Sequence, residues 1–165
     1  MWPLDLPARE VLKLPGETEI PWATFDWRWY LSTYPEVVAI TGDDNPSEVL
    51  EYYLEVGQNQ GHSPNLMFDE QWHRLMYPQI LERVTAGDYP SAFDAYCRRG
   101  ALDRSAHWLF DERPYRDRYR DLTDDVLAEI KIVNGYHHYL RHGIAEDRIG
   151  HLMFDPNIYL SHFDL

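Results

Sequence analysis

The 165 residues of this chain match the length of one ordinary domain of roughly 100–200 residues. Its 28 acidic residues outnumber the 15 basic ones, and the formal net charge of −13 argues against a protein that binds nucleic acid or anionic lipid by neutralising phosphates. With 44% hydrophobic and 15% aromatic residues, the composition also excludes a disordered acidic tail, so we expect the chain to fold.

The hydropathy pattern contains no run of the roughly 18 apolar residues that a membrane span requires, and residues 1–6 lack the features of a secretory signal peptide. We therefore expect a cytoplasmic protein that does not insert into membranes. Cys97 is the only cysteine, which excludes an internal disulfide and a cysteine-based zinc cluster. Because Cys97 takes a leucine position of the repeat described below, we expect it to be a buried apolar residue.

Residues 1–24 form a predicted N-terminal arm. Four of the eleven prolines of the chain fall here and interrupt any helix or strand, so the arm should be extended, with at most a short helix around Ala8–Leu12. Its apolar residues are expected to lie against the body of the protein: Trp2, Leu4, Leu6, Leu12, Leu14 and Trp22.

An internal repeat organises the rest of the chain. The dipeptide Phe-Asp recurs at 25–26, 68–69, 110–111 and 154–155, at spacings of 43, 42 and 44 residues. Other positions recur at fixed offsets from each Phe: Tyr30, His73, Tyr115 and Tyr159 five residues after it, and Tyr34, Tyr77 and Tyr119 nine residues after it. Each unit then ends in a run that closes on a glycine, at Gly57, Gly100 and Gly143. The spacing predicts unit one (25–67), unit two (68–109), unit three (110–153) and, over 154–165, a partial repeat or a C-terminal cap.

Each unit has the periodicity of short helices. The Asp of Phe-Asp is a typical helix N-cap, and the Tyr-Pro that follows in units one and two ends the first helix and allows a second to begin. A third helix should begin after Asn45 in unit one, at Pro90 in unit two and after Asn134 in unit three. Gly57 is predicted to stop the third helix of unit one in the left-handed conformation.

Three short helices cannot bury their apolar faces alone, so neighbouring units are expected to stack and share one continuous core. The predicted fold is all-α. It is a short right-handed solenoid of three units of about 43 residues, each of two to three short helices, preceded by the proline-rich arm.

This pattern resembles a bacterial tandem repeat. The residues that carry the likeness span 25–160 and are clearest in Phe25-Asp26-x-x-Trp29-Tyr30-Leu31 and in His138-Tyr139-Leu140-Arg141-His142-Gly143. Repeats of this kind commonly precede or link glycosyltransferase and related surface-polysaccharide domains. The resemblance implies a non-catalytic helical module that acts with sugar-transferring enzymes, and it supplies no catalytic residues.

Motifs of catalysis are missing from the sequence. It contains no phosphate-binding glycine loop, no Gly-x-Ser-x-Gly, no His-Glu-x-x-His and no Asp-x-Asp of metal-dependent sugar transferases. We therefore assign no catalytic residue and no cofactor. Whether a longer polypeptide containing this region is a glycosyltransferase stays open.

His138 and His142 are the candidate metal ligands. They stand four residues apart and would project from one helix face, with Glu146 and Asp147 nearby in sequence. The repeat places a residue at both positions in every unit, which favours a packing or surface role over a metal site.

Aromatic residues outside the repeat are candidates for an exposed platform on which a sugar ring would stack. The predicted ligand-binding residues are Trp27, Tyr52, Trp108 and Tyr136, with Trp22 and Tyr89 as further candidates. The recurring aromatic residues are predicted to form the core instead.

Charge is concentrated in unit one, which has seven acidic residues and one basic residue. This acidic face predicts a protein partner or companion catalytic domain with a basic surface. Three functions are compatible with the sequence: an interaction or scaffold module of a glycosyltransferase system, an acceptor-recognition part of such an enzyme, and a carbohydrate-binding module. A glycan ligand and self-association are both compatible with the first.

Overall fold

The computed structural model describes residues 12–14 and 20–153, and these are mostly helical, as predicted. The predictions for 154–165, for Trp2, Leu4 and Leu6 and for a short helix over residues 8–11 lie outside the described residues. Within the described part, no helix has both the length and the apolar character needed to cross a membrane.

The three predicted units contain similar successions of short helices. Unit one contains α1 (Trp27–Thr33), a 3₁₀ turn (Pro35–Val37), α2 (Val38–Thr41), α3 (Pro46–Tyr52), a π-helical turn (Tyr53–Gly57) and α4 (Gln58–Gln60). Unit two contains α5 (Glu70–Met76), α6 (Pro78–Thr85), α7 (Ala92–Ala95) and a π-helical turn (Tyr96–Gly100). Unit three contains α8 (Glu112–Arg118), α9 (Asp124–Glu129), α10 (Gly135–His138) and a π-helical turn (Tyr139–Gly143).

The arm meets unit one through a short antiparallel ladder that the sequence did not indicate. Strand β1 (Leu12–Lys13) pairs with β2 (Thr24–Phe25), and Leu12 lies opposite Phe25. Leu12 and Leu14 are half-buried against the core, and Trp22 is buried. These three arm residues therefore lie against the body, as predicted.

Polar side chains cap the helices where the sequence placed caps. Asp26 and Asp69 accept hydrogen bonds from the backbone N–H groups of Trp29 and Trp72, at 3.0 and 2.9 Å. Asp111 occupies the same position without such a bond. The third helices are capped by Asn45, Ser91 and Asn134, so the helix of unit two begins at Ala92, two residues later than predicted.

Most of the recurring aromatic residues are buried, as predicted, in two clusters, and four others are half-buried against these clusters: Tyr34, Tyr77, Tyr119 and Tyr139. One cluster lies within unit one around Phe25, Tyr30 and Tyr53. The other runs through units two and three, and Trp22 of the arm joins it by packing edge-on against Tyr136, with ring centres 5.4 Å apart. Burial of these rings adds strongly to the apolar driving force, since each large aromatic side chain buries about 150–250 Å².

Two predictions, one for the closing segment of unit one and one for that of unit two, are wrong. Gly57 has a φ of −59°, and the helix continues past it to end at Gly61, whose φ is +78°. Glycine is required at 57 for a different reason: an added Cβ would overlap the Tyr30 hydroxyl. Cys97, in the π-helical turn that closes unit two, is half-buried against the core and is not enclosed within it.

The same close approach occurs in unit three. A Cβ on Gly143 would lie 2.5 Å from the Tyr115 hydroxyl. In both units the tyrosine five residues after Phe therefore reaches across to the glycine that closes the unit. The sequence repeat identified the glycine, but it did not indicate which tyrosine hydroxyl lies against it.

We expect Gly57→Ala to lower the free energy of unfolding by about 1–3 kcal/mol, because the new methyl group overlaps the Tyr30 hydroxyl. In a Tyr30→Phe background, which lacks that hydroxyl, the cost should be smaller. Urea denaturation of the four proteins of this double-mutant cycle measures the difference. An equal cost in both backgrounds would show that the hydroxyl is not the obstacle.

Candidate functional site

The structure places two of the predicted ligand-binding aromatics in the interior, so the expectation that they are exposed is wrong. Trp27 and Tyr136 are each only 4% exposed. Trp27 packs into the unit-one core because it begins α1 on the inward face. Tyr136 donates its hydroxyl hydrogen to the Met67 carbonyl at 2.7 Å and packs against Phe110. Neither ring can offer a face to a sugar.

The other two predicted residues differ in exposure. Tyr52 is half-buried against the unit-one core, whereas Trp108 is 51% exposed and lies beside the His107 ring, with ring centres 5.7 Å apart. Trp27 and Tyr52 belong to one cluster and Tyr136 to the other. The four residues therefore do not form a common platform, and Trp108 alone of them stands well out from the surface. Trp22 is also buried and Tyr89 is half-buried.

The histidine pair is divided between the core and the surface. His138 is buried, and its Nδ1 lies 3.0 Å from the Tyr115 hydroxyl, whereas His142 is exposed. Burial, with a further contribution from Arg148, lowers the pKa of His138. Across residues 12–14 and 20–153, no group of three or more His, Cys, Asp and Glu side chains could hold a metal ion. The contact with Tyr115 gives His138 a packing role.

Two buried carboxylates that the sequence analysis missed join the first helix of a unit to its third helix. Glu70 accepts hydrogen bonds from the backbone N–H groups of Ala92 and Phe93 at 2.7 and 2.9 Å. Glu112 accepts the equivalent bonds from Gly135 and Tyr136. Both stand two residues after the Phe of their unit, so the recurrence could have revealed them. Unit one has Trp27 at this position.

The tyrosine nine residues after each Phe also has a recurring role. Its hydroxyl oxygen accepts a backbone N–H from the connection that ends the unit, in the pairs Tyr34 with Ser63, Tyr77 with Ser105 and Tyr119 with Ile149. The residue before that amide covers the tyrosine ring. These residues are His62, stacked at 3.8 Å, Arg104 at 5.9 Å and Arg148 at 4.6 Å.

The connections between units lie side by side. The amide of the Phe-Asp aspartate donates to a carbonyl of the next connection, in the pairs Asp26 with Pro64, Asp69 with Ala106 and Asp111 with Gly150, at 3.1, 3.1 and 2.9 Å. Neighbouring connections are therefore joined through their backbones. Side chains at equivalent positions on them share one surface of the protein.

This surface carries an apolar row, which we define as Leu66, Trp108 and Leu152. Each stands two residues before a Phe-Asp, and they are 37%, 51% and 58% exposed. Large apolar side chains at one repeat position are commonly buried, so their exposure in all three connections is a feature of the surface. The regular spacing of these three residues, 42 and 44 residues apart, could have identified the row from the sequence.

A cleft of about 350 Å³ adjoins this row between units one and two. Leu66 and His107 line it together with the rings of Trp29 and Tyr34, which meet edge-on with centres 6.3 Å apart. Its polar lining comes from Thr33, Ser63, Asp69 and Gln71. The cleft thus combines aromatic rings with hydroxyl, carboxylate and amide groups.

The acidic face predicted for unit one is present. Six of its carboxylates are exposed between residues 36 and 55: Glu36, Asp43, Asp44, Glu48, Glu51 and Glu55. The single arginine of the unit, Arg28, lies over the Trp27 ring at 4.3 Å. The charge of this segment therefore faces solvent.

Burial raises the pKa of Glu112 from 4.5 to about 7. Between these values the folded protein keeps a proton that the unfolded chain has released, so the stability that this group contributes is full below pH 4.5 and is lost as the pH rises through about 7. From pH 4.5 to about pH 8, the wild type should lose up to about 3 kcal/mol relative to Glu112→Gln.

Urea denaturation of both proteins across this pH range measures the effect. Glu51→Gln, the same change at an exposed position, is the control and should leave the pH dependence of the wild type unaltered. A constant difference between wild type and Glu112→Gln would contradict the assignment.

Compared with models of protein families, with curated proteins and with solved structures, the chain matches none. Its function is therefore inferred from the repeat motif, the apolar row, the acidic face and the cleft beside the row.

Proposed function

We propose that this chain is a non-catalytic helical-repeat interaction module of a bacterial glycosyltransferase or surface-polysaccharide system. In this proposal the three units stack as a short right-handed solenoid, and the apolar row is the surface that holds a partner. The observation that carries it is the exposure of Leu66, Trp108 and Leu152 at one repeat position on hydrogen-bonded neighbouring connections.

The physical argument for the apolar row is the free energy of burying it. Each apolar side chain that a partner covers contributes about 25 cal/mol for every Å² removed from water. Tryptophan is enriched among the residues that dominate binding free energy, and Trp108 stands at the centre of the row. A partner that covers all three residues would gain most from Trp108.

The acidic face of unit one supports a partner with a basic surface. Its six exposed carboxylates would attract basic groups and would speed encounter at low ionic strength. The partner is then a protein or a companion catalytic domain with both apolar and basic groups. The link to sugar transfer rests on the resemblance of the repeat motif alone.

Carbohydrate recognition is the second candidate function, and the cleft beside the apolar row favours it. Sugar rings stack on aromatic faces and hydrogen-bond to carboxylates and amides, and this cleft offers Trp29 and Tyr34 with Asp69 and Gln71. Its volume of about 350 Å³ falls within the range of about 300–1,000 Å³ that is usual for ligand pockets. The chain would then act as a carbohydrate-binding module or as the acceptor-recognition part of a glycosyltransferase.

Replacing two members of the apolar row tests the interaction module. We expect Leu66→Ser/Trp108→Ser to abolish capture of the proteins that the wild type captures from its source cells, as identified by mass spectrometry. Those proteins should include a sugar-transferring or polysaccharide-assembly enzyme. Capture by the wild type should weaken as salt is raised, because salt screens the acidic face.

Ile40→Ser is the matched control, since Ile40 is an apolar residue outside the row and is 65% exposed. It should leave capture unchanged. Equal capture by the row variant and the wild type would refute the role of the row. Light scattering of the purified protein distinguishes a second copy of this chain from a different partner.

Trp29→Ala tests the carbohydrate candidate. On a glycan array we expect binding by the wild type to be lost in this variant, because Trp29 lines the cleft. Trp72→Ala is the matched control, since Trp72 is its repeat equivalent and meets Tyr77 at the same 6.3 Å. An array that is silent for the wild type, or binding lost equally in both variants, would refute a sugar site here.

A further inference from the structure

A short basic segment interrupts this acidic chain. Four arginines fall within residues 113–120, on α8 and directly after it, whereas the whole chain has a net charge of −13. Three of them, at offsets of three, six and ten residues from Phe110, are Arg113, Arg116 and Arg120. Units one and two each have a proline at the last of these positions, so this arrangement is specific to unit three.

These three arginines line a cleft of about 670 Å³ where unit two ends and unit three begins. The rest of its lining comes from Leu102, Glu112, Asp117, Leu122 and Thr123. Leu102 is largely exposed and offers an apolar patch at its edge. The cleft is much larger than a bare phosphate ion and has room for a small molecule.

Unit two shows why the cleft is open in unit three. There the equivalent arginine, Arg74, donates from Nε to the Glu70 carboxylate at 2.8 Å and also reaches the Gln58 carbonyl. In unit three Arg116 turns to the Leu122 carbonyl and to the Asp124 carboxylate at 2.6 Å instead. The arginine that is drawn inward in unit two thus lies at the wall of an open cleft in unit three.

Two of the three arginines are free to bind a ligand. Arg113 and Arg120 are exposed and form no ion pair with any residue of the described part of the chain. Of the carboxylates in the lining, Glu112 is buried and its two oxygens accept the Gly135 and Tyr136 amides. Asp117 is the exposed carboxylate of the lining. The solvent-facing charge of the cleft is therefore positive.

We propose that this cleft binds a small molecule through its phosphate group, with Arg113 and Arg120 holding the phosphate and Arg116 adding a third guanidinium. Planar guanidinium groups donate paired hydrogen bonds to phosphate oxygens, and such charge-assisted bonds are among the strongest in proteins. Thr123 accepts the Val126 amide through its oxygen, which leaves its hydroxyl hydrogen free to donate to the ligand. The remainder of the molecule would lie against Leu102.

Calorimetric titration with inorganic pyrophosphate and with inorganic phosphate tests the site. We expect pyrophosphate to bind more tightly than phosphate, and the double variant Arg113→Gln/Arg120→Gln to weaken pyrophosphate binding by about tenfold or more. Arg118→Gln is the matched control: Arg118 is exposed on the same helix, outside the cleft lining, and its loss should change affinity less than threefold, the range expected of distant surface charge.

Two outcomes of the titrations would overturn the proposal. One is binding of pyrophosphate that falls equally in the Arg118→Gln control, and the other is binding of citrate as tight as that of pyrophosphate, which would mark an unspecific cluster of cations. Nuclear magnetic resonance of the wild type gives a readout that needs no variant. Pyrophosphate should shift the side-chain Nε resonances of Arg113 and Arg120, and unshifted resonances would also refute the site.

Discussion

A backbone hydrogen bond closes each unit, and the surface features of this protein depend on it. The amide of the Phe-Asp aspartate donates to a carbonyl about 38 residues later, as from Asp26 to Pro64. Closing a loop of this length costs conformational entropy, which the aromatic core inside each unit must offset. Because the bond recurs three times, successive connections are held side by side, and the apolar row becomes one surface.

Within this common frame the units differ at the positions that face the core. Unit one has Trp27 where units two and three have Glu70 and Glu112, and unit two has His73 where the others have a tyrosine. Burial, and then Arg104, lower the pKa of His73 to about 3, so its ring is neutral in the folded protein. These exchanges keep the backbone pattern while changing the chemistry of each unit.

Surface charge also differs between units that share the same backbone pattern. Unit one exposes six carboxylates, and the start of unit three presents arginines to a cleft. The carboxylates lie after α1, between residues 36 and 55, whereas the arginines lie on α8 and directly after it. Units with the same succession of helices therefore present opposite charges from different segments. A repeat of nearly constant length thus carries an acidic face at one unit and a basic cleft at another.

The sequence by itself determined the repeat length, the caps at Asp26, Asn45 and Asn134 and the burial of the recurring aromatics, because each of these is a local pattern repeated at a regular spacing. Only the tertiary structure decided which non-recurring aromatics are exposed: Tyr136 is buried by a contact with Met67, 69 residues away. It also decided that Gly57 serves close packing, since that depends on where the Tyr30 hydroxyl reaches. Contacts between residues far apart in the chain leave no periodic signal, and the candidate clefts are made of such contacts.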